Sequence, residues 1–123
     1  MCLIAKVQQL AKNSQGYIAI TDFGIAKHFQ KGNAYDTSGT PGYMAPEVIL
    51  SQDHSFSVDF YAIGVIGYEL ILGKRPHAGR SRKDVKEQIL AKQACIKPNE
   101  LPVSWSVNAA DFINKVKAYH YLN

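Results

Sequence analysis

Asp22, Phe23 and Gly24 stand together directly after an apolar, β-branched run, and a carboxylate at the start of a loop is what a hard, oxygen-seeking cation selects. Alone, the tripeptide reads equally well as a turn aspartate before a glycine. A second run, Gly39-Thr40-Pro41-Gly42-Tyr43-Met44-Ala45-Pro46-Glu47, sets Ala45 twenty-three residues after Asp22. Alone, it is a Gly-Pro turn entering a helix. A third, Val58-Asp59-Phe60-Tyr61-Ala62-Ile63-Gly64-Val65, puts one carboxylate in the first turn of an apolar helix, where the macrodipole favours it. Between the first two runs, Tyr35, Asp36, Thr37 and Ser38 bring three hydroxyls and a fixed negative charge onto a polar loop.

The elements that must position these groups are legible from turn and cap chemistry. Asn13-Ser14-Gln15-Gly16 is a turn, with Gly16 supplying a positive φ. Tyr17 to Ile20 then reads as a strand and Gln9-Leu10-Ala11 as its hairpin partner. From Lys27 to Gly42 the composition predicts a long loop. Pro46 opens a short helix through Leu50. Ser57 is the expected cap of the next helix, which is apolar on nearly every face, belongs in the middle of a domain and stops at Gly73. Further helices are expected from about Ser81 to Lys92 and from Val107 to Ala118, the latter capped by Ser106, with Pro98 and Pro102 between them. The fold class is therefore mainly α with a small β-hairpin.

Composition narrows the function classes. The chain has 123 residues, 46% hydrophobic and 20% charged, with a net charge of +4 and no repeat or low-complexity tract, as expected of one globular domain. Basic residues cluster locally at Lys74, Arg75, Arg80, Arg82 and Lys83, without the interleaved aromatics of a nucleic-acid surface. No nucleic acid is expected as a partner. Val58 to Leu72, the most apolar window, holds Asp59 and Glu69 and is too short to span a bilayer. With no secretory signal, and with Cys2 and Cys95 lacking metal-ligand spacing, the expectation is a reduced, cytoplasmic protein without membrane association.

The three runs, in this order, resemble the eukaryotic protein kinase family, over roughly Ser14 to Lys115. The resemblance implies a truncated kinase-like C-terminal lobe: an activation segment at 22–47, lobe helices at 57–118 and a diverged tail at 116–123. It implies ATP and Mg²⁺ as cofactors, because Mg²⁺ neutralises the charge that phosphoryl transfer concentrates on the phosphates. It implies a protein partner or substrate with serine or threonine hydroxyls, since Thr40 stands where serine/threonine kinases carry a threonine. By the same carry-over, Asp22 holds magnesium, with Phe23 and Gly24 completing the motif and Phe23 packing to set active or inactive states. Gly39, Thr40, Pro41, Gly42 and Tyr43 form the substrate-docking segment. Asp36, Thr37 and Ser38 are the regulatory stretch, and Asp36 occupies the position often phosphorylated in related kinases. It stands there either as an acidic stand-in or as a plain exposed aspartate. Asp59 corresponds to the helix aspartate that bonds the catalytic-loop backbone, and Glu47 to a glutamate that pairs with a later buried arginine. Gly73-Lys74-Arg75-Pro76 and the helix after it are similar to the lobe segment of nucleoside-regulated and related serine/threonine kinases.

Two departures set the functional expectation. Counted back from Asp22 without gaps, the catalytic-loop pattern falls on residues 2–9, where Lys6 alone agrees and remains a candidate phosphate contact. Ile4 stands at the position of the catalytic aspartate, and an aliphatic chain accepts no proton. Gln9 stands at the position of the second magnesium ligand with an amide of the wrong length, and Leu3 replaces the arginine that reads an activation-loop phosphate. Residues 1–13 are thus either a decayed catalytic loop or a replaced start, and Asp22 is the first acidic residue in either case. No Gly-rich phosphate loop precedes it, and no arginine follows Arg82 to meet Glu47. The expectation is a kinase fragment inactive alone, marginally stable and with exposed apolar helix surface. The alternatives are a non-catalytic, pseudokinase-like interaction module and a truncated gene product without an independent role.

Overall fold

Turn chemistry sets the first pairing. Gly16 adopts φ 89°, and the chain reverses through it to pair β2 (Leu10–Lys12) with β3 (Ile18–Ile20), Ala11 opposite Ala19. The computed structural model describes residues 3–4, 10–12, 14–21, 23–28 and 36–118. A second antiparallel pair joins β1 (Leu3–Ile4) to β4 (Lys27–His28), with Ile4 opposite Lys27. This pair corrects the expectation of an uninterrupted loop from Lys27 to Gly42, as does a 3₁₀ turn at Pro41–Tyr43. A two-residue ladder needs only backbone donors and acceptors, so Lys-His gives no sign of it in composition.

Everything described after Pro41 is helix or connection: α1 (Pro46–Ile49), α2 (Ser57–Leu72), α3 (Arg82–Ala91) and α4 (Val107–Ala118), with a 3₁₀ turn at Pro98–Glu100. The fold is mostly helical, as expected. Pro46 occupies the first turn of α1, where its missing N–H costs nothing. Ser81 caps α3 through a reciprocal box, its hydroxyl accepting from Asp84 N at 3.2 Å while Asp84 Oδ2 accepts from Ser81 N at 3.1 Å. Hydrogen bonds to its carboxyl from the side chain and backbone of Ser81 and from the Arg80 backbone hold Asp84 below the usual carboxylate range. Ser106 caps α4 as expected, its Oγ accepting from Ala109 N at 3.2 Å. Ser57 does not cap α2. It is the first helical residue, buried, and its hydroxyl lies 3.0 Å from that of Ser55 while Phe56 holds the cap position. Gly73, at φ 68°, ends α2 in the left-handed conformation that only glycine adopts without strain.

The core forms on two stretches of α2. Toward its start, Val58, Tyr61 and Val65 pack against Met44, Ala45 and Val48 from the 3₁₀ turn and α1. Toward its end, Tyr68 and Ile71 pack against Ala110 and Ile113 of α4 and against Ile96. A Cβ on Gly67 would lie 2.7 Å from Ile113 Cδ1, so the missing side chain is what lets α4 approach. The connection from α3 is tied to α4 by Asn114, whose Oδ1 accepts from Ile96 N at 2.8 Å and whose Nδ2 donates to Ile96 O at 2.9 Å.

Burial of α2 is nevertheless one-sided. Phe56, Phe60, Ile63 and Leu70 recur at helical spacing on a face left open among the described residues, with Phe56 and Phe60 in edge contact at 6.5 Å between centroids. The expected burial on nearly every face is thus corrected to two core stretches and an exposed stripe, and the expected exposed apolar surface is this stripe. Adjacent residues test the division. Ile71 is 5% exposed and Leu70 is 65% exposed. Ile71→Ala should lower unfolding stability by about 2–5 kcal/mol, and Leu70→Ala by no more than about 0.5 kcal/mol, in urea titrations of the chain. Equal losses would mean that the two faces are not distinguished as described.

Candidate functional site

The segment from Asp36 to Tyr43 is fixed at both ends by side chains from elsewhere in the chain. Asp36 Oδ2 pairs with Lys27 Nζ at 2.8 Å, which ties the segment to β4. Asp36 Oδ1 accepts from Ser38 N at 2.9 Å and also from the Ser38 hydroxyl, closing a local turn. Arg82 Nη2, in the first turn of α3, donates to Thr37 O at 2.5 Å. Residues 36–38 therefore have a carboxylate held by a cation and a carbonyl held by a guanidinium. Gly39 follows at φ 126°, a left-handed conformation that bends the chain into the turn at Pro41–Tyr43.

Residues 39–43, the expected docking segment, turn on their own backbone. Thr40 O accepts from Tyr43 N at 3.0 Å, Pro41 O accepts from Met44 N at 3.3 Å, and Thr40 itself is exposed. Tyr43 then anchors the turn to the central helix, its hydroxyl donating to Glu69 Oε2 at 2.7 Å. That bond, burial and the charge of Glu69 together push the Tyr43 phenol above its ordinary pKa, so the contact persists through the neutral range. The Arg75 guanidinium lies 5.6 Å from the centroid of the Tyr43 ring, and a Cβ on Gly42 would collide with it. Gly42 is buried beneath this guanidinium, which explains the glycine between Pro41 and Tyr43. Sequence reasoning placed Arg75 and Arg82 only in a basic surface cluster and did not single out Lys27 or Glu69. The available signal was charge complementarity, because Asp36 and the open carbonyls of a loop require cations to hold them.

Other residues of interest are less gathered. Phe23 is 58% exposed, with its carbonyl accepting from Ala26 N at 3.0 Å in a turn, and Gly24 beside it is exposed. Glu47 is buried in α1, and Asp59 is half-buried in the first turn of α2. Ile4 is placed by its backbone pairing with Lys27. The remaining assignments on Lys6, Gln9 and Asp22 lie outside the described residues, as does the stretch of the catalytic loop, 5–9, that Asp59 was expected to meet.

The described residues do not make up a magnesium or nucleotide site. No group of three or more His, Cys, Asp or Glu among them is arranged to hold a metal ion, and the Asp36 carboxylate is engaged by Lys27 and Ser38. Magnesium takes near-octahedral oxygen ligation, to which one carboxylate such as Asp22 contributes a single corner. No chemical step through ATP or Mg²⁺ is therefore derived from these side chains. No described helix is long and apolar enough to cross a membrane.

The ion pair at Asp36 carries a measurable prediction. Single substitutions Lys27→Ala and Asp36→Ala and their combination should give a coupling of about 0.2–1 kcal/mol in a double-mutant cycle, shrinking as salt is raised. Additive effects at low salt would mean that Lys27 does not hold the segment.

The family profile described as the protein kinase domain matches residues 6–120, reaching past Lys115 where the recognisable motifs stop. Human cGMP-dependent protein kinase 2 is 32% identical over 135 aligned residues, which cover 96% of this chain and 18% of that protein. A Drosophila melanogaster cGMP-dependent protein kinase, isozyme 2, is 37% identical over 112 residues, covering 90% of this chain and 12% of that one. The Caenorhabditis elegans protein named cAMP-dependent protein kinase, catalytic subunit-like, is 31% identical over 111 residues, covering 90% of this chain and 26% of its own length. The chain thus spans between about an eighth and a quarter of these relatives. With that span, the motif order and the helical lobe in agreement, the chain belongs to the protein kinase domain family, as a partial domain of its serine/threonine branch.

Proposed function

We propose that this chain supplies the activation segment and the protein-docking surface of a serine/threonine protein kinase, and that it does not transfer phosphate by itself. The observation that carries the reading is the two-ended hold on the segment between Asp36 and Tyr43: Lys27 and Arg82 at one end, Glu69 at the other. A loop that must present a backbone to a protein substrate has to be ordered before the substrate arrives, because ordering it on binding subtracts from affinity. Asp36 supplies a permanent negative charge where related kinases often acquire one by phosphorylation, and Lys27 meets that charge at 2.8 Å. In this reading Asp36 is an acidic stand-in, and the segment is set without a modifying enzyme.

The rest of the reaction comes from outside this span. ATP and Mg²⁺ would be held by Asp22 together with groups that this chain does not contain, and the substrate hydroxyl would need a proton acceptor that Ile4 cannot replace. The working site belongs to an intracellular protein in which a second segment or a partner provides those groups. The exposed stripe of Phe56, Phe60, Ile63 and Leu70 favours a second reading, a pseudokinase-like module whose role is to bind another protein.

A phosphotransfer assay separates these readings from stand-alone catalysis. The purified chain with Mg²⁺-ATP and a serine-containing basic peptide should give no incorporation above a no-protein control. Incorporation that Asp22→Asn abolishes would overturn the proposal and make the chain a complete catalyst.

A further inference from the structure

Two guanidinium groups reach the stretch from Asp36 to Tyr43 from different parts of the chain. Arg82 arrives with α3, which lies against both α1 and the turn at Pro41–Tyr43, and its guanidinium is spent on Thr37 O. Arg75 arrives just past the end of α2 at Gly73 and is half-buried. Its Cζ lies over the Tyr43 ring, 5.6 Å from the centroid. A Cβ on Gly42 would stand 3.1 Å from that Cζ and 3.3 Å from the Arg75 Cδ. Arg75 is therefore laid against the backbone of the turn, which has space for it only because residue 42 is glycine.

Those contacts hold the guanidinium without using its N–H donors. Among the described residues no carboxylate or carbonyl pairs with Arg75. The carboxylates bonded to this stretch are committed elsewhere: Asp36 to Lys27 and Ser38, and Glu69 to the Tyr43 hydroxyl at 2.7 Å. Lys74, next to Arg75, is exposed. The surface beside Tyr43 thus offers a positioned fork of donors with a second cation next to it. A guanidinium fork matches the two oxygens of a carboxylate through parallel, charge-assisted hydrogen bonds. Holding the fork in place beforehand reduces the ordering cost of forming them.

We propose that Arg75 sets the peptide preference of segment 39–43, and that the segment takes an acidic peptide whose aspartate or glutamate carboxylate pairs with the Arg75 guanidinium. The inference rests on the reading of residues 39–43 as a docking surface and adds the chemical class of what docks there. Glycine at position 42 has a role in it. A side chain there would displace the guanidinium from the turn, and an acidic one would neutralise it in place of the peptide.

The test measures binding of the full 123-residue chain to three fluorescent peptides of about ten residues, in which a central serine is flanked by glutamates, by glutamines or by lysines. The glutamate peptide should bind at least about tenfold more tightly than the glutamine peptide. Arg75→Gln should erase that preference, whereas Lys97→Gln, which removes the same charge from an exposed position on the turn at Pro98–Glu100, should keep it. In the wild-type chain, where no variant has to fold, the glutamate peptide should shift the NMR signals of the Gly42 and Tyr43 amides and the Arg75 side-chain N–H. Tighter binding of the lysine peptide, a preference that survives Arg75→Gln, or shifts confined to other residues would overturn the proposal. Equal binding of all three peptides with Gly42 and Tyr43 shifted would overturn it while leaving the docking reading in place. Binding of none would overturn both.

Discussion

A sixteen-residue helix with apolar side chains on most of its faces cannot rest against water, and covering α2 is the constraint that organises the rest of this structure. At about 25 cal/mol per Å² of apolar surface removed from water, burying Val58, Tyr61, Val65, Tyr68 and Ile71 outweighs any single polar contact in the molecule. Two separate elements supply the cover. The turn at Pro41–Tyr43 runs into α1 and covers the start of α2, and α4 covers its end. The segment 39–43 is therefore placed as a by-product of core formation. Met44, Ala45 and Val48 are core residues, and the exposed Thr40 is only four residues away from the first of them.

Polar contacts then refine what packing has placed. Tyr43 has its ring beside the core and its hydroxyl on Glu69, one turn from the end of α2, so the same helix that buries Val65 also sets the orientation of the segment. Arg82 reaches Thr37 from a helix whose start is fixed by the Ser81–Asp84 box. These are partly exposed contacts, each worth about a kilocalorie per mole or less, and they order the loop without supplying the stability of the fold. The same packing has a cost at the other end of α2. The side chain of Lys117 is enclosed where an apolar one would be more favourable, and burial lowers its pKa to about 8.

Local chemistry explains which parts of this were legible in the sequence. Gly16, Gly73, Pro46, Ser81 and Ser106 each act within a few residues of themselves, and the elements that they begin or end were readable almost to the residue. The motif order was equally legible, since each of the three runs is contiguous in the sequence. Ser57 failed as a cap because its hydroxyl meets Ser55, a choice made by a turn whose geometry no composition encodes. The β1–β4 ladder was invisible because Leu-Ile and Lys-His meet through backbone across more than twenty residues. For the same reason Lys27, Glu69 and Arg82 were missed at the site. Each acts at a distance in sequence, and only the fold brings it within reach of the segment.

The central claim is that segment 39–43, proposed to dock substrate, is ordered by its attachment to α2. Native-state hydrogen exchange of the chain carrying Val65→Ala tests it most directly, because Val65 is 0% exposed and lies in the cluster that joins α2 to Met44, Ala45 and Val48. The account predicts that protection of the Tyr43, Met44 and Val48 amides falls by the same free energy as that of the α2 amides around Val65, as one cooperative unit. Loss of protection confined to α2, with the amides of the segment unchanged, would contradict it.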